Sequence, residues 1–182
     1  TLFIIIFFFI NNLAVANSKI NIINNFENIQ NLKFIFIQKI NKKKETGNCI
    51  ISYPKKIYCK YDDIYNKILV SNGKSLLINS DRNNQYFRYK LEDTFLNLIL
   101  DKKFMIKKIS ELKNEQVLNN TISFKFDYKN NSIDIFFDKN KFNLKGWTTT
   151  DIYQNKVETI LSDIETNIDF DDKIFRIQRY IN

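Results

Sequence analysis

The sequence predicts a mainly β domain, an antiparallel meander or barrel carrying a few short helices, and three observations point there. Apolar stretches of strand length recur along the chain, separated by turn signals every 8–12 residues or so. The sharpest of those signals is Asn72-Gly73, set between Ile68-Leu69-Val70-Ser71 and Lys74-Ser75-Leu76-Leu77-Ile78. Asn-Gly between two apolar runs marks a hairpin, because both central residues of a type I′ turn need φ > 0. Finally, Leu91, Phe95, Leu98 and Ile99 fall at i, i+4, i+7 and i+8, one face of a helix. A curved sheet followed at once by a helix with an oily face implies a covered hydrophobic pocket.

Taken in order, the chain opens on an apolar run from Leu2 to Ile10, then polar Asn11-Asn12, then Ala14-Val15-Ala16 before Asn17. A short apolar core and an Ala-x-Ala site describe a secretory signal peptide, and the run is too short to span a bilayer as a helix. The expected division is residues 1–16 as a partial signal peptide cleaved near Ala16 and residues 17–182 as the mature domain. Ile20, Ile23, Phe26 and Ile29 give helical spacing over Ser18–Lys33, on an Asn-rich background that weakens the helix. Leu32 to Ile40 reads as a strand, and the polar residues from Asn41 to Thr46 as a loop.

Cys49–Tyr53 and Ile57–Tyr61 are strands flanking a turn at Pro54-Lys55-Lys56, since proline pre-sets φ at a turn position. Asp93 or Thr94 is placed to cap the amphipathic helix. Lys102–Lys108 encloses Phe104, Met105 and Ile106 as a second short helix. Alternation then marks strands at 121–128 and 132–138 about Asn130-Asn131, and further strands at 142–147, 156–161 and 174–177. Cys49 and Cys59 sit equidistant from Pro54 on the two arms of their turn. Two readings stand for them: a cross-strand disulfide in an exported protein, or two small apolar residues packed in the sheet.

Composition removes several function classes. At 182 residues the chain suits one domain with a real core, and 44% hydrophobic content is ordinary. The net charge of +8 is spread along the sequence, with one tight run at Lys42-Lys43-Lys44, so a solvated basic surface is the expectation and no nucleic-acid partner. With no His, Ser-His-Asp and Cys-His nucleophilic arrangements and His metal sites are excluded. Three scattered Gly form no phosphate loop. The acidic pairs Asp62-Asp63 and Asp171-Asp172 adjoin polar turns. No catalytic residue, cofactor or metal site is expected. Seventeen Phe and nine Tyr instead supply large rigid apolar contact area.

Gly47, Tyr53-Pro54, Tyr61, Ser71-Asn72-Gly73-Lys74, Gln85 and Thr94-Phe95-Leu96-Asn97-Leu98-Ile99 resemble the periplasmic outer-membrane lipoprotein carrier family, LolA. Phe36-Ile37-Gln38, Gly146-Trp147 with Asp151 and Thr159, and the segment from Ile168 to Phe175 extend the resemblance over most of the mature chain. The departures are Tyr53 for the family's Arg, Cys59 for its Trp, Phe95 for its helix Pro and Asn155 for its turn Gly. The family's Arg is associated with holding a lid closed. Tyr53 has one hydroxyl and no fixed charge, so it supplies part of that role or is simply a cross-strand aromatic.

The resemblance implies an α+β, mainly β fold: an incomplete, strongly curved antiparallel β-barrel with an α-helical lid over a hydrophobic cavity. It implies a monomeric periplasmic carrier of acylated lipoproteins. Such a carrier would take them from an inner-membrane ABC-type releasing complex and pass them to an outer-membrane acceptor or to the outer membrane itself. The alternative is a lipid-binding or envelope-sensing domain of the same fold without lipoprotein transfer. The residues expected at the cavity and lid are Phe36, Tyr53, Ile57, Cys59, Tyr61, Leu76, Ile78, Leu91, Phe95, Leu96, Leu98 and Ile99.

Overall fold

The computed structural model describes residues 10–82, 85–112, 115–128, 131–150 and 155–181. Helix α1 (Ile10–Glu27) leads into six consecutive strands: β1 (Asn31–Ile40), β2 (Lys43–Ser52), β3 (Lys56–Tyr61), β4 (Ile68–Asn72), β5 (Ser75–Ser80) and β6 (Gln85–Lys90). Helices α2 (Leu96–Ile99) and α3 (Lys102–Glu111) intervene. The chain then returns as β7 (Glu115–Leu118), β8 (Thr121–Tyr128), β9 (Asn131–Asp138), β10 (Leu144–Thr150) and β11 (Lys156–Thr166).

All of these strands join one curved, open antiparallel sheet in the order β6-β5-β4-β3-β2-β1-β11-β10-β9-β8-β7. Each half is a meander of neighbours in sequence. The two halves are joined by one long-range pairing, β1 with β11, in which Phe36 lies opposite Leu161 and Gln38 opposite Thr159. The expected mainly β architecture with a few helices is thus what the chain adopts.

Strand alternation explains the core. Leu32, Phe34 and Phe36 of β1 turn inward, as do Ile122, Phe124 and Phe126 of β8 and Ile133, Ile135 and Phe137 of β9. Against them pack Ile22, Phe26 and Ile29 from α1 and its exit, Leu98, Ile99 and Leu100 from α2 and its end, and Met105 and Ile109 from α3. Phe26 meets Phe137 and Tyr53 edge-on, at centroid distances of 6.2 and 5.5 Å. The Lys102 ammonium closes the last turn of α1 by donating to the carbonyls of Glu27 and Ile29 at 2.9 and 2.8 Å. The Asp101 carboxylate accepts from the Phe104 N–H at 3.1 Å, capping α3.

Several local expectations are corrected. The first helix ends at Glu27 rather than Lys33, because residues 31–33 are drawn into pairing with β2 and residues 32 and 33 with β11 as well. The segment 41–46 is no loop: a two-residue turn with Asn41 at φ 55° lets β1 and β2 pair as far as Ile40 and Lys43. Leu91 to Ile99 is not one helix. A 3₁₀ turn at Leu91–Asp93 breaks at extended Thr94, whose hydroxyl donates to the Leu91 carbonyl, and α2 then starts after Phe95 with no side-chain cap. Neither Asp93 nor Thr94 therefore caps the start of α2. Strands β6 and β7, at the sheet edges, lie outside the strands expected from the sequence.

The segment 174–177 is not a strand but part of two 3₁₀ turns, Asp172–Phe175 and Ile177–Tyr180. They lie on the other side of the sheet, where Ile177 joins Val70 and Leu77 and Tyr180 stacks on Tyr58. Of the expected signal peptide, residues 1–9 lie outside the described residues, while Ala14-Val15-Ala16 belong to the backbone of α1. Among the described residues no helix is long and apolar enough to cross a membrane.

Cys49 and Cys59 stand directly opposite each other on β2 and β3, with Cα atoms 4.1 Å apart, and are joined in a disulfide. The first of the two readings is therefore the one the fold adopts. Two positions along, Gly47 faces Tyr61. A Cβ on Gly47 would lie 2.8 Å from the Phe36 ring and overlap the Lys60 carbonyl, so only glycine fits between these strands. The substitution Gly47→Ala is expected to lower stability by about 2–3 kcal/mol in denaturant unfolding. A change under about 0.5 kcal/mol would mean that the strands separate there without cost.

Candidate functional site

The helices fill one end of the concave face and leave the other open. Between β1–β6 and the segment Lys90–Leu96 lies a cavity of about 870 Å³, within the usual size range of ligand sites. Because directly opposed residues of an antiparallel sheet share a face, the wall can be read from the strand registers. One row runs Phe34, Cys49, Cys59, Leu69, Ile78, Phe87 across six strands. All six line the cavity. A second row brings Ile57, Leu76 and Tyr89 to it. Phe36 and Tyr61 meet edge-to-face at 5.0 Å over the Gly47 gap. Phe95 and Leu96 come down from the covering segment, and half-exposed Phe87 and Tyr89 border the mouth on edge strand β6.

The floor beside these apolar rows is polar. Trp147 on β10 faces Thr159 on β11, which faces Gln38 on β1, which faces Glu45 on β2. All four line the cavity. The Gln38 amide donates to the Thr159 hydroxyl at 3.1 Å, while the Trp147 indole N–H is buried with no acceptor among the described residues. The Lys67 ammonium donates to Glu45 Oε2 at 2.8 Å and sits 3.9 Å above the Tyr61 ring. Lys43 holds the other carboxylate oxygen at 2.6 Å.

Burial by itself would push the Glu45 carboxyl up. The hydrogen bonds and charges of Lys43 and Lys67 outweigh burial and hold it below the ordinary value. Burial raises the Tyr61 hydroxyl, with the charges of Glu45 and Asp63 adding to it, and burial alone raises that of Tyr53. Both phenols stay neutral donors at physiological pH.

Of the residues singled out from the sequence, Phe36, Ile57, Cys59, Tyr61, Leu76, Ile78, Phe95 and Leu96 come together on the cavity wall. Tyr53, Leu91, Leu98 and Ile99 do not. Leu91, Leu98 and Ile99 are fully buried where the covering segment packs down on the sheet, so they anchor the cover and present no surface to the cavity. Tyr53 packs between Phe26 of α1 and Lys102 of α3, and its hydroxyl has no hydrogen-bond partner among the described residues. Beside it the β2–β3 turn is tied to the junction of α2 and α3. The Lys55 N–H donates to the Leu100 carbonyl at 2.9 Å, and the Lys55 ammonium lies 3.6 Å from Asp101. Sequence reasoning missed Phe34, Leu69, Phe87, Tyr89, Glu45 and Lys67, and passed over Gln38, Trp147 and Thr159. Period-two alternation from Phe36 would have found Phe34 and Gln38. The others need the register between strands.

The sequence model of the family described as Outer membrane lipoprotein carrier protein LolA matches residues 27–178. Among curated proteins no relative matches. Among solved structures the chain is similar to an uncharacterized conserved protein of Thermus thermophilus, with a TM-score of 0.53 and 6% identity over 89% of this chain and 93% of that one. It is also similar to a Vibrio parahaemolyticus domain provisionally described as an outer membrane lipoprotein-sorting protein, with a TM-score of 0.50 and 9% identity over 93% of this chain and 97% of that one. A LolA superfamily protein of Nitrosomonas europaea matches at 9% identity and a TM-score of 0.46, over 86% and 96% of the two chains. At these identities the first two likenesses show the fold alone.

The Glu45 charge has a consequence for acid stability. In the unfolded chain Glu45 regains its ordinary pKa, so its folded-state pKa is the lower of the two. Its contribution is therefore complete above the ordinary carboxylate value and is lost as pH falls through and below about 4. A Glu45→Gln variant is expected to show a flatter fall of denaturation midpoint between neutral and acid pH. Superimposable profiles would show that the carboxylate contributes nothing to stability.

Proposed function

The chain belongs to the outer membrane lipoprotein carrier protein (LolA) family, and from that premise we propose that it is a periplasmic carrier holding the acyl chains of lipoproteins in transit from the inner to the outer membrane. Members of this family bind and carry lipoproteins and are not enzymes. The observation that carries the reading is the cavity of about 870 Å³, walled by apolar side chains of β1–β6 and covered by Lys90–Leu96. Each buried CH₂ is worth roughly 0.8 kcal/mol, so one long acyl chain left in water costs roughly 10 kcal/mol. A carrier must recover most of that cost yet release its cargo to the next site. A rigid sheet under a short cover broken at Thr94 suits both demands.

On this reading the residues up to Ala16 act as the export signal and residues 17–182 as the mature carrier, a monomer. The Cys49–Cys59 disulfide supports an oxidising destination such as the periplasm. The partners are an inner-membrane ABC-type releasing complex on one side and an acceptor or the outer membrane on the other. One observation favours the alternative, a lipid-binding or envelope-sensing domain without transfer. Tyr53, standing where the family has its latching Arg, is packed away with its hydroxyl unpaired among the described residues. Mass spectrometry of material bound to the purified protein separates the two: acylated protein supports the carrier, and free lipid supports the alternative.

Replacing Phe95 by Asp places a carboxylate at the covering edge of the cavity, where desolvating it opposes closure over an acyl chain. Binding of a fluorescent acyl probe is expected to weaken by at least about tenfold, a loss of some 1.4 kcal/mol. Phe95 is only partly buried, so circular dichroism of the variant should match that of the parent. Unchanged probe affinity would remove the covering segment from the site.

A further inference from the structure

We propose that the polar row Trp147–Thr159–Gln38 on the cavity floor is a carbonyl-binding shelf, which receives the ester or amide carbonyls of an acylated ligand and so fixes which way its tails run. The inference rests on the carrier reading of the cavity and adds an orientation to it. An enclosure meant only for hydrocarbon has no need of polar side chains in its floor, because each costs free energy unless partnered. Here the strand pairing aligns three on neighbouring strands, two of them nearly fully buried, facing the same space.

Their hydrogen-bonding capacity is unevenly used. Thr159 Oγ accepts from the Gln38 amide at 3.1 Å and so keeps its own proton to give. The Trp147 indole can only donate, and it has no acceptor among the described residues. A surplus of donors calls for an acceptor. The donors themselves select its kind: the Lys67 ammonium beside the row is already engaged by Glu45 at 2.8 Å, and the donors left over on the row, the Trp147 indole and the Thr159 hydroxyl, are uncharged. Uncharged donors suit a neutral acyl carbonyl. Inward positions recur every second residue of β1, about 7 Å apart. Gln38 is followed by Phe36 and then Phe34, so a tail leaving a carbonyl at the shelf runs directly onto the apolar rows.

The test compares ligands with and without carbonyls. A diacylglyceryl-cysteine lipopeptide and a diacyl phospholipid are each titrated beside an ether-linked twin of equal chain length. The parent protein is expected to prefer the ester form by about 2- to 10-fold, the worth of one net hydrogen bond. Trp147→Phe and Thr159→Val should each narrow that ratio. The second variant is close to isosteric and keeps the test valid if the first fails to fold. A preference with the lipopeptide alone assigns the shelf to lipoprotein, and one with the phospholipid alone assigns it to free lipid. Equal binding of esters and ethers in both pairs, or a ratio that neither variant changes, overturns the shelf and leaves the carrier reading standing. Failure of every probe to bind overturns both.

Discussion

The pairing of β1 with β11 is the constraint on which the rest of the molecule depends. It joins two meanders that would otherwise be separate sheets, and it closes a loop of more than a hundred residues. Such a contact gains nothing from local propensity and must recover its closure entropy through burial. The Leu32–Thr166 end of the pairing is held by polar contacts: Lys33 with Glu165 at 2.8 Å, the Asn31 side chain with the backbone of Ile168, and Asn167 with Gln30 and Asn28. Its inward side chains, Phe36 and Gln38 with Thr159 and Leu161, lie at the centre of the concave face.

From that centre the two ends of the concave face take different fates. Toward β8 and β9 it is filled by α1, α2 and α3, whose large side chains leave no room beside Phe124 and Phe137. Toward β3–β6 no helix follows. There the chain lays only the short covering segment over a wall held by the Cys49–Cys59 bridge and the close approach at Gly47. Filled and open halves of one sheet give a rigid container with a thin, interrupted cover. The cover is anchored by buried Leu91, Leu98 and Ile99 and offers Phe95 and Leu96 to the space beneath.

The legible part of this arrangement was the local part. Alternation in β1, β8 and β9 and the Asn-Gly hairpin of β4 and β5 were readable because period-two burial and turn chemistry act over a few residues. Helical spacing over Leu91–Ile99 misled in form: its residues are buried by tertiary packing, yet Thr94 breaks the helix that the spacing implied. Strand β6 was invisible because an edge strand exposes Tyr86, Phe87 and Tyr89 instead of burying an apolar run. The turns at 172–180 mimic a strand in composition, but Ile177 packs onto the face of β4 and β5, against Val70 and Leu77, instead of pairing at a sheet edge.

The sequence by itself determined a mainly β chain with a hydrophobic stock large enough for a core, the hairpins at Pro54 and at Asn72-Gly73, two cysteines placed symmetrically about one turn, and the absence of histidine chemistry. Each of these depends on neighbours in the chain or on composition alone. Only the tertiary structure decided that the core stops short of filling the concave face, that Tyr53 is packing rather than wall, and that Trp147, Thr159, Gln38 and Glu45 form one row. Register between strands far apart in sequence sets those outcomes, and register is fixed by the packing of the whole sheet.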